Sequence, residues 1–191
     1  MKLLITGFDP FGGAQINPSW EAVQQLPDRI GDYELCKLQI PTVFHGAAQR
    51  VLERAAEWKP DVILCVGQAA GRSAVTPERI GINVRSARIP DNAGVQPQEQ
   101  PVVAGGPDGI FSTLPVAEMA ASISSAGLPG AVSNSAGTFV CNDVLYTLLY
   151  QYSGTPVRVG FVHVPWLPEQ GTPNLPLEKT VEALTAAILA I

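Results

Sequence analysis

Cysteine and histidine are scarce: the 191-residue chain has only Cys36, Cys65 and Cys141, with His45 and His163. Three thiols cannot all pair within one chain and none stands in a CxxC spacing, so neither a disulfide framework nor a zinc knuckle is supported. No HExxH is present, and two distant histidines make a poor metal site. Basic residues are also few, 12 against 17 acidic ones for a net charge of −5, and no two Lys or Arg are adjacent. Nucleic acid is therefore not an expected partner. The apolar start Leu3 to Ile5 is cut off by Gly7, Asp9 and Pro10, and no apolar run reaches about 18 residues. A soluble, cytoplasmic protein without a membrane partner is expected. Charged residues make up only 15% and apolar ones 46%, which fits a globular chain rather than a disordered one. Glycine (18) and proline (17) are in excess and point to many turns. No repeat or biased linker divides the chain, so a single domain over 1–191 is expected.

Strands and helices alternate. Met1 to Thr6 reads as a buried strand, and Asn17 before Pro18 as the cap of a helix reaching about Leu26. Tyr33 to Ile40 is strand-like, and Val43, Ala47, Val51, Ala55 and Trp58 follow helical spacing until Pro60. Asp61 to Val66 reads as a core strand, Ile80 to Val84 as another, and Ala131 to Ser135 and Val157 to Val164 as two more. Helices are expected over Pro115 to Ala126, Phe139 to Tyr152 and Leu177 to Ile191. Arg85 to Asp108 shows no period and carries four prolines, Pro90, Pro97, Pro101 and Pro107; such a loop serves as a lid, a binding loop or a subunit contact. The pattern predicts an α/β fold, a three-layer α/β/α sandwich on a largely parallel twisted sheet. Chemistry should gather at the carboxyl ends of its strands: Gly7 to Pro10, Gly67 with Gln68, Asn134 with Ser135, and His163.

Cys141 lies between a predicted strand and helix. With Thr138 as N-cap it falls in the first helical turn, where free N–H groups favour a thiolate and lower the thiol's pKa. It reads equally as a small buried hydrophobe. Cys36 and Cys65 read as strand residues. His163 ends an apolar strand, and the interval from Cys141 suffices for a helix, a turn and a returning strand to the same rim. A core histidine is the competing reading, and His45 reads as a partly exposed polar residue. A carboxylate should orient the imidazole. Glu78, Asp9, Asp91 and Asp143 all qualify, and Glu78 also suits a surface pair with a neighbouring arginine.

Several motifs, in one order from Thr6 to about Gln170, are similar to the pyrrolidone-carboxylate peptidase (pyroglutamyl peptidase type I) family. They are Thr6-Gly-Phe-Asp-Pro-Phe-Gly-Gly13, Asn17-Pro-Ser-Trp20, Gly67-Gln-Ala-Ala-Gly-Arg72, Pro77-Glu-Arg-Ile80, Ala87-Arg-Ile-Pro-Asp-Asn92, Ser133 to Asn142 and His163-Val-Pro-Trp166. Ala70 and Phe139 depart from the family's commoner glycine and tyrosine. The resemblance implies a cytosolic cysteine peptidase, often a homotetramer, with no metal or organic cofactor, that removes N-terminal pyroglutamate from peptides. Cys141 would be its nucleophile, His163 its base and Glu78 the orienting carboxylate. The implied substrate pocket comprises Phe8, Phe11, Thr42, Gln68, Ile89, Phe139 and Val140, with Arg88 close by. A neutral lactam suits apolar walls, whereas an N-terminal ammonium would lose on the order of several kcal/mol there. A thiol amidase of other acyl specificity and a non-catalytic lactam-binding or assembly protein are the alternatives.

Overall fold

The computed structural model describes residues 1–191. The strands are β1 (Lys2–Phe8), β2 (Arg29–Ile30), β3 (Tyr33–Ile40), β4 (Val62–Gln68), β5 (Thr76–Pro77), β6 (Ile80–Ile82), β7 (Gly109–Phe111) and β8 (Arg158–Val164). The helices are α1 (Pro18–Gln25), α2 (Gly46–Trp58), α3 (Val116–Ser125), α4 (Val140–Gln151) and α5 (Leu177–Leu189). The main sheet runs β2-β3-β1-β4-β8-β5. Its four long members, β3, β1, β4 and β8, are parallel, and the short β2 and β5 pair antiparallel at the edges.

Both sheet faces are covered, which explains why the central strands read as almost continuous apolar runs. On one face Leu3, Ile5, Val62, Leu64 and Val66 pack against Val23, Met119, Leu184 and Ile188 of α1, α3 and α5. On the other, Leu4, Ile63, Cys65, Val159 and Phe161 pack against Val51 and Ala55 of α2 and Val144 and Leu148 of α4. This is the three-layer α/β/α sandwich. Asn17 starts α1 as expected, its side chain accepting from the Ser19 amide at 3.1 Å.

Four sequence expectations need correction. Helix α2 begins at Gly46 rather than Val43, because His45 holds a left-handed φ of 60° and breaks the turn before it. Ala131 to Ser135 forms no strand; within it only Ser133 makes an isolated bridge, to Glu78, and the neighbouring Gly130 makes another, to Val75. Phe139, not Thr138, is the N-cap of α4. The Thr138 hydroxyl instead donates to the Ser86 carbonyl at 2.6 Å and fastens the long loop. Finally, Ile80 to Val84 contributes only three strand residues, and these pair with β7 in a separate hairpin outside the main sheet.

That hairpin closes both ends of the Arg85 to Asp108 excursion. The loop is stitched internally: Arg85 bridges Gln100, Gln98 Nε2 donates to Ala87 O at 2.8 Å, and Asp91 Oδ1 accepts from Val95 N at 2.8 Å. Asn142 on α4 anchors the adjoining strand by accepting from Ile82 N at 2.9 Å and donating to Ile82 O at 2.8 Å.

Candidate active site

Strand order creates the site. β4 and β5 are consecutive in sequence, yet β8 lies between them and carries His163 beside Gly67 on one side and Thr76 on the other. Glu78 follows β5 directly and is fully buried, with its amide on Phe161 O at 2.8 Å. Its Oε1 accepts Nδ1–H of His163 at 2.7 Å and Nη1–H of Arg72 at 2.6 Å. The reading of Glu78 as a surface carboxylate is overturned by this burial. Asp9, Asp91 and Asp143 are engaged elsewhere: Asp9 accepts from Thr42 N, Asp91 from Phe44 N, and Asp143 from His45 N and Arg85.

Cys141 is the second residue of α4 and is partly exposed. A Cβ placed on Gly67 would lie 2.9 Å from Cys141 Sγ and 2.8 Å from the Phe161 ring. The sulfur thus fills the space that a side chain at position 67 would occupy. Gly67 and His163 are register partners in a parallel pair, so their side-chain directions share one sheet face. Phe161, two residues before His163 on that face, supports the imidazole with ring centroids 4.8 Å apart. The amides of Val140, Cys141 and Asn142 donate to no backbone carbonyl and form the free first turn of the helix.

The electrostatics differ from the sequence expectation. Burial, reinforced by the nearby Glu78 and Cys65, pushes the Cys141 thiol up to about 12; Arg72 and the residue's own N–H offset only part of this. Desolvation outweighs the helix terminus and favours the neutral thiol over the thiolate. Burial likewise lowers the His163 pKa below its ordinary value, against an opposing hydrogen bond from Glu78. For Glu78 burial acts upward, but the His163 hydrogen bond and the Arg72 charge outweigh it and hold the carboxyl below the usual glutamate value.

A cleft of about 860 Å³ opens over these strand ends, lined by Phe11 to Ile16, Gln68, Ala70, Arg88, Ile89, Trp166, Glu169 and Gln170. Phe11, Gln68, Arg88 and Ile89 therefore lie on its walls. Phe139 touches Phe11, ring centroids 5.8 Å apart, and meets Phe44 edge-on. Phe8 and Val140 are buried in the core, and buried Thr42 spends its amide and hydroxyl on Asp9. Gln68 Oε1 is buried without a hydrogen-bond partner. No group of three or more His, Cys, Asp or Glu side chains is arranged to hold a metal ion.

Sequence reasoning missed Arg72. Its Nη1 bonds both Glu78 and Thr76 Oγ1 at 2.6 Å, and its Nη2 donates to Ser135 O at 3.0 Å. The only available signal was its place at the end of the Gly67 to Arg72 motif. It also missed the cluster of Arg85, Asp143 and His45, in which Asp143 is fully buried and Arg85 nearly so.

A family model described as pyroglutamyl peptidase matches residues 1–191. A pyrrolidone-carboxylate peptidase of Levilactobacillus brevis is 52% identical, the match covering 100% of this chain and 97% of the relative. One from Staphylococcus aureus is also 52% identical, with 100% and 93% covered. Among solved structures, pyroglutamyl peptidase I from Bacillus amyloliquefaciens superposes with a TM-score of 0.96 at 43% identity, covering 99% of this chain and 93% of that one. A mutant pyrrolidone carboxyl peptidase from P. furiosus gives 0.94 at 39% identity, covering 100% and 98%. With one family matched end to end and the same sheet recovered in its solved members, this chain belongs to the pyroglutamyl peptidase family.

Proposed function

We propose that this chain hydrolyses the N-terminal pyroglutamyl residue from peptides through a Cys141-His163-Glu78 triad and a thioester intermediate. The observation that carries the reading is the buried Glu78 carboxylate on His163 Nδ1 at 2.7 Å, beside a cysteine sulfur seated over Gly67. With Nδ1–H donated to Glu78, Nε2 is the free acceptor of a neutral imidazole.

The thiol begins protonated, so proton transfer accompanies attack rather than preceding it. Cys141 Sγ forms a bond to the pyroglutamyl carbonyl carbon as its proton passes to His163 Nε2. The carbonyl oxygen takes the negative charge, and the free amides at the start of α4, that of Cys141 first, donate to it. Imidazolium then protonates the departing amine as the C–N bond breaks. Water attacks the thioester with His163 again as base, releasing pyroglutamate and restoring the thiol. Glu78, held ionised, stabilises the imidazolium formed in each half. Only these side chains and water enter the balance.

The neutral lactam matches the wall of Phe11, Ile89 and Phe139. The unpartnered Gln68 Oε1 is suited to accept its N–H. On the family likeness we also assign a homotetramer and a cytoplasmic location. No helix is long and apolar enough to cross a membrane. Light scattering on a sizing column tests the assembly. The activity is tested by release of a fluorophore from a pyroglutamyl conjugate, against prolyl and glutaminyl conjugates. Turnover of the pyroglutamyl conjugate alone, lost in Cys141→Ala and His163→Ala with circular dichroism unchanged, is expected. Undiminished turnover in Cys141→Ala would overturn the mechanism.

A further inference from the structure

The cleft is larger than a five-membered lactam needs. At about 860 Å³ it stands near the upper end of the roughly 300–1,000 Å³ common for small-molecule sites. Its walls come from three strand-end segments and the Arg85 to Asp108 loop, and beyond Phe11, Gln68 and Ile89 they continue through Ile16, Arg88, Trp166 and Glu169. Ile89 is 45% exposed here, an apolar side chain with nothing packed over it. Arg88 is the only cation among the lining residues, is exposed, and makes no ion pair, not even with Glu169 of the same cleft. By contrast, Arg72 and Arg85 are both neutralised by buried carboxylates.

Arg88 is nevertheless not on a loose tether. Ser86 N donates to Thr138 O at 3.0 Å and Thr138 Oγ1 returns a bond to Ser86 O at 2.6 Å, three residues before Cys141. On the other side Ala87 is buried and its carbonyl accepts from both Gln96 and Gln98. The backbone that presents Arg88 and Ile89 is thereby fixed relative to the helix that presents the nucleophile. A free guanidinium beside an apolar wall, in a chain of net charge −5, is a site for a planar anion.

We propose that this outer part of the cleft binds the peptide downstream of the pyroglutamyl residue and that Arg88 engages a carboxylate there. The carboxylate is either the terminus of a short peptide or an acidic side chain of a longer one. The inference rests on the pyroglutamyl-peptidase reading above and names the substrate class of that site.

Two substrate pairs test it. The first is pyroglutamyl-Ala-Ala as free acid and as amide; the second is an amidated tetrapeptide with Glu or Gln at the third position. We expect kcat/KM about tenfold higher for the charged member of at least one pair at low salt, about 1.4 kcal/mol. The preference shrinks as ionic strength rises and falls to near unity in Arg88→Gln. Preference in the first pair alone identifies a terminal carboxylate; preference in the second alone identifies an acidic side chain. Equal rates within both pairs, or a preference that survives Arg88→Gln, overturn the proposal. If no pyroglutamyl substrate is cleaved at all, the functional reading fails instead. Calorimetric titration of Cys141→Ala with the same peptides gives the binding contrast independently of turnover.

Discussion

Two buried clusters in this molecule contain the same three residue types, an arginine, a carboxylate and a histidine, arranged differently. In one, Glu78 receives both Arg72 and the ring N–H of His163 on a single oxygen, leaving the far ring nitrogen free. In the other, Asp143 receives Arg85 on one oxygen and the backbone amide of His45 on the other. There the His45 ring meets the guanidinium instead, Nε2 at 2.8 Å from Nη1, and the residue is exposed. Composition alone therefore does not make a catalytic unit. A carboxylate becomes an orienting group when it holds the imidazole by one nitrogen and aims the other at a nucleophile. When it holds only a guanidinium and a backbone amide, it is a fastener between α2, α4 and the long loop.

The sharpest separation should come from removing one charge in each cluster. Glu78→Gln keeps the side-chain size but offers His163 an amide, and kcat is expected to fall on the order of 10⁴-fold with the fold intact. Asp143→Asn leaves Arg85 buried without its counter-ion. It should lose about 3–5 kcal/mol in stability, seen as a melting temperature lower by roughly 6–20 °C, with turnover per folded molecule retained. If Asp143→Asn abolishes turnover at a temperature where circular dichroism shows it folded, the distinction between the clusters collapses. Gly67→Ala comes next, because the new methyl meets Cys141 Sγ and Phe161 at under 3 Å. A loss of about 10²-fold in kcat is expected from misplacing the sulfur, read in steady-state kinetics.

Arg72→Met is the smallest and most diagnostic change. It should lower kcat/KM about tenfold and move the acidic limb of its pH profile to higher pH. The direction follows because the Arg72 charge disfavours protonated His163, and the imidazole must be neutral to act as base. A limb that moves to lower pH, or stays fixed, would show that Arg72 acts only as a brace. The same groups set the acid side of stability. His163, lowered from 6.5, and Glu78, lowered from 4.5, each bind protons more readily when unfolded. The His163 contribution is complete above pH 6.5 and declines as pH falls toward its folded value; that of Glu78 is complete above 4.5 and is lost below it.

Much of this was legible along the chain. Tyr33 to Ile40 and the cap at Asn17 follow from local chemistry, and both appear where local patterning put them. Cys141 stood out as a cysteine in the first turn of an expected helix, and His163 because sites in parallel sheets gather at the carboxyl ends of strands. What stayed hidden depends on distance in sequence. Nothing near Arg72 announces a bond to Ser135, or near Arg85 one to Asp143; each joins elements that only the finished sheet brings together. The thiol's upward shift was hidden for the same reason, since it arises from desolvation and from Glu78 and Cys65, brought close by the fold, rather than from its place on one helix. The start of α2 was misjudged because Val43 fits the helical period while His45 takes a positive φ and donates its amide to Asp143.

The insertion of β8 between β4 and β5 has a consequence for the life of the chain. Ribosomes deliver β1 through β5 well before the strand bearing His163, and until that strand enters, Glu78 has no imidazole to orient and Gly67 no partner on that side. On the proposed triad, a nascent or truncated chain ending before residue 158 is expected to be catalytically inert. Recovery of turnover during refolding then reports completion of the central sheet, a late event because it closes contacts 85 residues apart.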